Sequence, residues 1–161
     1  MDWETDGSCF GALGINLRLP KELVQNYSTG SYAEGTREKP YFYVDPGHAG
    51  LEQVKQADTT KPPEVVKKAL EKAGYIAEDI DFFLSHNPTM FHVEAWWEAL
   101  GISPERTHIT LEKYGNMSPV SIGANLHEAV VMNKIKDGDI VALTAPGAGY
   151  HFVAAVLKWG K

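Results

Sequence analysis

Residues 113–126 read KYGNMSPVSIGANL: a glycine and an asparagine, then Ser118-Pro119, then a run of small and apolar residues. Glycine and asparagine accept left-handed backbone and mark a tight turn. Serine followed by proline suits the cap and first turn of a helix. The spacing predicts a helix entered at Ser118-Pro119 and running to about Ile135, with Asn116 at its threshold. Val120, Ile122, Gly123, Ala124, Leu126, Ala129, Val130 and Val131 leave little polar surface over its first three turns, which predicts burial on nearly every side. One sheet does not supply that cover. Ser121, Gly123 and Ala124 are small enough to admit a second helix, so a further layer that this chain does not itself encode is expected.

Working outward, THITL at 107–111 reads as a brief strand leading into the turn, and IDFFL at 80–84 as a buried strand ending at Ser85-His86. Between them Val93, Trp96, Trp97 and Leu100 recur at helical spacing until Gly101. Before them Pro62-Pro63 suits a helix start, continued by Val65, Val66, Ala69, Leu70 and Ala73 to Gly74. Downstream, GDIVALTAPGAGYHFVAAVLKW at 138–159 places two apolar strands around APGAG, a β-hairpin. Residues 1–60 form a loop-rich lead-in: FGALGINLRL at 10–19 predicts a first strand, YFYV at 41–44 a short one, and turn residues fill the rest of 20–60. The expectation is a single α/β domain over 1–161, a mixed β-sheet layered with helices and ending in an antiparallel hairpin.

Composition excludes several classes. Fifteen Lys and Arg against 21 Asp and Glu give a net charge of −6, so no basic field exists to displace counterions from nucleic acid. Lys67, Lys68 and Lys72 read as the solvated face of a helix. A lone Cys9 rules out an internal disulfide and fits a buried thiol better than a nucleophile. MDWETDGSCFG lacks the basic and apolar regions of a leader, and no window approaches a membrane span, so the cytosol is the expected compartment. His86 and His92 do not match a zinc-ligand spacing, and with His48, His108, His127 and His151 scattered, no metal site is expected.

The candidate chemistry lies at two junctions. His86 stands where a strand gives way to a helix, and Asn116 occupies the equivalent place one unit later. On neighbouring strand ends, an imidazole and a carboxamide can donate two hydrogen bonds to a carbonyl oxygen as it becomes an oxyanion or enolate. Each residue alone has an ordinary structural reading, the asparagine as a turn former above all. PGAGY at 146–150 is followed by a strand and so is no dinucleotide loop; it is either a turn presenting backbone amides to a substrate or a plain hairpin loop.

LEKAGYIAEDIDFFLSHNP, LGISPERTHITLEKYGNMSPVSIGANLHEAV and IKDGDIVALTAPGAGYHFVAAVLKW, in that order and spacing, resemble the C-terminal half of 3-oxoacyl-[acyl-carrier-protein] synthase III and its thiolase-fold relatives over residues 64–160. The resemblance implies a thiolase-like half-domain that packs against a similar N-terminal half, in the same or another chain, with the central helices buried between the sheets. It implies an acyltransferase of fatty acid biosynthesis that loads an acyl group on a cysteine of the N-terminal half and condenses it with a malonyl thioester. His86 and Asn116 would then be the C-terminal members of a Cys-His-Asn set, with no nucleophile in this chain, and Gly147 and Gly149 would lie in a substrate-binding glycine turn. The substrate would be a thioester of coenzyme A or acyl carrier protein, with no further cofactor, and a homodimer is expected. A piece of a longer polypeptide or one subunit of a split enzyme is implied, inactive alone. The family's Gln-Ala-Asn run after the histidine, and an arginine five positions on that docks the carrier protein, are replaced here by HNPTMF, with Phe91 in the arginine's place. That departure points toward a coenzyme A thioester or an unusual acyl acceptor. Acyl transfer to oxygen or nitrogen with His86 as general base, and a non-catalytic assembly module, are the alternatives.

Overall fold

The computed structural model of the chain describes residues 1–5, 13–16, 41–44, 51–147 and 150–160. Its centre is β4 (Phe82–Ser85), every residue of which is buried. Side chains alternate across a strand. Phe83 accordingly joins one core cluster while Phe82 and Leu84 join another. β5 (Ile140–Gly147) lies parallel to β4, with Phe82 opposite Val141 and Ser85 opposite Thr144. β6 (His151–Lys158) returns antiparallel to β5, and β1 (Asp2–Thr5) closes the edge antiparallel to β6, for a strand order β1-β6-β5-β4. The hairpin and the mixed α/β layering follow the sequence expectation. β2 (Leu13–Asn16) and β3 (Tyr41–Val44) form a separate antiparallel pair within the strands expected at 10–19 and 41–44.

Helices cover both faces. α1 (Leu51–Ala73) and α2 (Met90–Leu100) pack Val65, Val66, Ala69, Leu70, Val93 and Trp96 against Phe83, Ala142, Phe152 and Ala154. Both helices end in Schellman closures: Tyr75 N–H reaches the Leu70 carbonyl and Ile102 N–H the Trp97 carbonyl, with Gly74 and Gly101 supplying the left-handed residue at φ 80° and 67°. On the other face a short α3 (Leu111–Tyr114) leads into α4 (Val120–Val131), whose Leu126 and Ala129 meet Phe82, Leu84 and Val141. No helix among the described residues is long and apolar enough to cross a membrane.

Five expectations need correction. The helix expected to begin at Pro62-Pro63 starts at Leu51, with both prolines inside it and residues 51–60 helical rather than looped. A proline at position 62 cannot donate to the Asp58 carbonyl one turn back. The Trp96 indole Nε1 donates to that carbonyl instead, at 2.7 Å, so α2 repairs the break in α1. The Thr59 and Thr60 hydroxyls fold back on the Gln56 carbonyl, at 2.9 and 3.0 Å, in the manner that bends helices.

β1 was not expected, because its alternation is acidic rather than apolar. Asp2 and Glu4 face α1, where Lys72 meets Asp2 at 2.7 Å and Lys61 and Lys68 meet Glu4 at 2.7 and 3.0 Å. These ion pairs hold both carboxyls below their usual range. Two of the three lysines read as a solvated face thus hold the sheet edge. The strand expected at 107–111 is reduced to a single bridge from Thr107 to Phe83, after which the chain turns into α3.

The remaining two corrections concern α4. It ends at Val131 rather than near Ile135, and its N-cap is Pro119, with Ser118 held at φ 55° and making no side-chain cap. Its buried residues are Ser121, Asn125 and Ala129, whereas Val120, Val130, Val131 and Met132 are exposed. Among the described residues, only one stripe of α4 meets the sheet. On the same side of the sheet Trp3 and Val153, paired across β1 and β6, also stand exposed.

Candidate functional site

β4 delivers Ser85, His86 and Asn87 to the C-terminal end of the sheet, all three buried. The ladder continues one residue past the strand: His86 N–H donates to the Thr144 carbonyl at 3.0 Å, which fixes the histidine backbone to β5. The ring is shielded, and among the described residues its Nδ1 finds no hydrogen-bond partner. Burial lowers the His86 pKa below its ordinary 6.5, the Ser118 backbone opposes that shift, and nearby His92 adds to it. A neutral imidazole at neutral pH is the result.

Asn116 reaches the same place from the other direction. The chain leaves α3 through Gly115, and the Asn116 Oδ1 accepts a hydrogen bond from Ser118 N–H at 2.8 Å. This closed turn occupies the amide oxygen, and among the described residues Nδ2 makes no hydrogen bond. Ser118 links the two segments: its backbone acts on the His86 pKa, and its N–H holds the Asn116 side chain. Asn116 is exposed. Gly147 ends β5 three positions beyond Thr144, at the same end of the sheet as His86. Gly149 lies outside the described residues, as does Cys9.

Two groups of residues escaped the sequence reading. The first is a buried polar cluster of Ser85, Asn87, Thr110 and Asn125. The one available signal was Asn125, a polar residue four positions from Ser121 and from Ala129, in the buried stripe of α4. The second is an anchor on the outer side of the segment leading to Asn116. Glu128 of α4 takes Lys113 at 2.8 Å, His108 Nε2 at 3.1 Å and the Tyr114 hydroxyl at 3.2 Å.

Lys113 first, and His108 after it, pull the Glu128 pKa from 4.5 down to about 2. A carboxyl whose folded pKa is depressed contributes stability that is whole above its unfolded value and lost as pH falls through the folded one. The anchor is therefore complete above pH 4.5 and disappears toward pH 2. Denaturant titrations over that interval should show wild type losing slightly more stability than Glu128→Gln, which is already without the charge; parallel curves would remove Glu128 from the account.

A mixed sheet with helices on both faces and a strand-end histidine beside a helix entrance is the architecture of a thiolase-like half. The solved beta-ketoacyl-[acyl-carrier-protein] synthase III from Thermus thermophilus matches with a TM-score of 0.75 at 31% identity, covering 99% of this chain and 45% of that one. Residues 70–159 match the family described as 3-oxoacyl-[acyl-carrier-protein (ACP)] synthase III C terminal, and the chain belongs to that family. Beta-ketoacyl-[acyl-carrier-protein] synthase III of Aquifex aeolicus is 31% identical over 166 residues, 99% of this chain and 53% of the relative. The 2-heptyl-4(1H)-quinolone synthase subunit PqsC of Pseudomonas aeruginosa is 34% identical over 123 residues, 76% of this chain and 35% of the relative. The chain spans about half the length of the curated relatives it matches.

Proposed function

We propose that this chain supplies the enolate-stabilising half of a cytosolic synthase III-type condensing enzyme of fatty acid biosynthesis. The observation that carries the reading is the buried His86 at the end of β4, whose pKa the Ser118 backbone influences while Ser118 N–H holds Asn116. His86 contributes a ring N–H, and Asn116 offers Nδ2 while its oxygen is tied to Ser118 N–H. Both are neutral donors suited to one thioester oxygen. When the malonyl carboxylate leaves as CO₂, the electron pair of the broken C–C bond flows into the thioester and places negative charge on that oxygen. The two N–H groups lower the energy of this enolate, and its carbon then attacks an acyl thioester on a cysteine, breaking the C–S bond and releasing the cysteine as thiolate. Gly147, at the end of β5, is assigned to the turn that binds the thioester.

The cysteine belongs to a second thiolase-like half, and the exposed apolar residues of α4 with Trp3 and Val153 support a surface for it. The complete enzyme is a homodimer needing no cofactor beyond its thioester substrates. Phe91, 68% exposed at the start of α2, favours coenzyme A over an acidic carrier protein as the thiol carrier. The test uses the full-length enzyme that contains this chain, given an acyl-coenzyme A and carboxyl-labelled malonyl-coenzyme A. Release of labelled CO₂ coupled to a β-ketoacyl product is expected. Acyl transfer to a hydroxyl or amine without CO₂ overturns condensation in favour of plain acyl transfer, and no transfer at all leaves an assembly module.

A further inference from the structure

Asn125 lies fully buried in the middle of the inward stripe of α4, and its carboxamide is saturated. Its Nδ2 donates to the Ser85 carbonyl at 3.0 Å and to Asn87 Oδ1 at 3.1 Å. Its Oδ1 accepts from Asn87 Nδ2 at 3.2 Å and from the Thr110 hydroxyl at 2.8 Å. Two donors and two acceptor sites are all that one amide possesses. The partners are not scattered: Ser85 and Asn87 are the residues immediately before and after His86, and Thr110 stands at the entrance to α3, from which the chain proceeds to Asn116. Turning the fully buried Asn87 amide over exchanges its two bonds to Asn125 for bonds to the Ser85 carbonyl and from the Thr110 N–H, both at 3.2 Å, and leaves Asn125 tied to Ser85 and Thr110.

Buried polar groups of this kind add little net stability over an apolar core of the same shape, because each hydrogen bond replaces one made to water. What they do add is directionality, since a saturated amide pair fits one arrangement of the surrounding backbone and no other. We infer that Asn125 and Asn87 form a positioning pair that holds the His86 segment and the Asn116 segment in fixed relation across α4. The inference rests on the reading of His86 and Asn116 as joint donors, and neither Asn125 nor Asn87 touches substrate in it. His86 is fixed along the strand by its backbone bond to Thr144, and the amide pair ties the residues on either side of it to Thr110, at the start of the segment that carries Asn116. A displacement of about 1 Å at such a site costs on the order of 100-fold in rate.

The experiment uses the full-length enzyme with Asn125→Leu, Thr110→Val and Thr110→Ser, normalised to folded protein. Asn125→Leu and Thr110→Val should each lower kcat for condensation by about 10- to 100-fold with KM little changed, and Thr110→Ser, which keeps the hydroxyl, should recover it. The imidazole ¹⁵N resonances of His86, assigned with His86→Gln, should move in the first two variants and stay in the third. Melting temperatures that fall while kcat and the His86 resonances remain those of wild type would overturn the inference. If Asn125→Leu does not fold, Thr110→Val decides. If the wild-type enzyme performs no condensation, the functional reading falls, and the His86 resonances alone judge the amide pair.

Discussion

Replacing Asn116 with alanine in the full-length enzyme is expected to lower kcat for condensation by about 10²–10³-fold, the loss typical of one oxyanion donor. KM should change little, because the hydrogen bond strengthens only as charge develops on the thioester oxygen. Stability should shift by no more than about 1 kcal/mol, since the side chain is exposed and its one internal bond is to Ser118 N–H. Asn116→Asp separates donor from turn former. The carboxylate keeps the acceptor that holds Ser118 but replaces the donating nitrogen with an anion facing a developing anion. It should be at least as damaging as alanine, and His86→Ala should fall in the same range. Wild-type kcat in Asn116→Asp would reduce the residue to its turn and end the proposed mechanism.

Trp96→Phe should be the costliest conservative change in the core. The indole is fully buried, and its Nε1 is the donor that Pro62 denies to the Asp58 carbonyl. Phenylalanine leaves that carbonyl without its donor, about 1–3 kcal/mol, and leaves unfilled volume beside it. A total of about 2–4 kcal/mol is expected from urea denaturation. Pro62→Ala supplies the missing N–H within α1, so in the Trp96→Phe background it should recover about 1 kcal/mol or more that it does not confer on wild type. A double-mutant cycle with no coupling would show that the tryptophan acts through volume alone.

Legibility of the fold varied with the kind of signal a residue carries. Gly74 and Gly101 marked their helix ends because left-handed closure leaves few alternatives, and the hairpin at 140–158 was plain from two apolar runs flanking a turn. The first half of α1 was hidden, since a Pro-Pro pair after two threonines reads as a boundary unless a donor from another helix is known to be waiting. β1 was hidden because its inward residues are acids that answer lysines far along the chain. THITL looked like a strand, but His108 is drawn to Glu128 and Thr110 to Asn125, both on α4, and these side-chain bonds turn the backbone away from the sheet. His86 and Asn116 stood out because each sits at a junction with turn chemistry. Asn87 and Asn125 did not, because a buried amide announces itself only through its partner.

The strand order carries a consequence for how the molecule is made. β6 is flanked by β5 and β1, and Thr5 Oγ1 lies 2.8 Å from His151 Nδ1, 146 positions away along the chain. During synthesis the hairpin leaves the ribosome long after residues 2–5, so the acidic edge segment waits unpaired while the helices collapse. Closing so large a loop comes late and slowly, and until then the open flank of β6 is a place where chaperones, or other nascent chains, can bind.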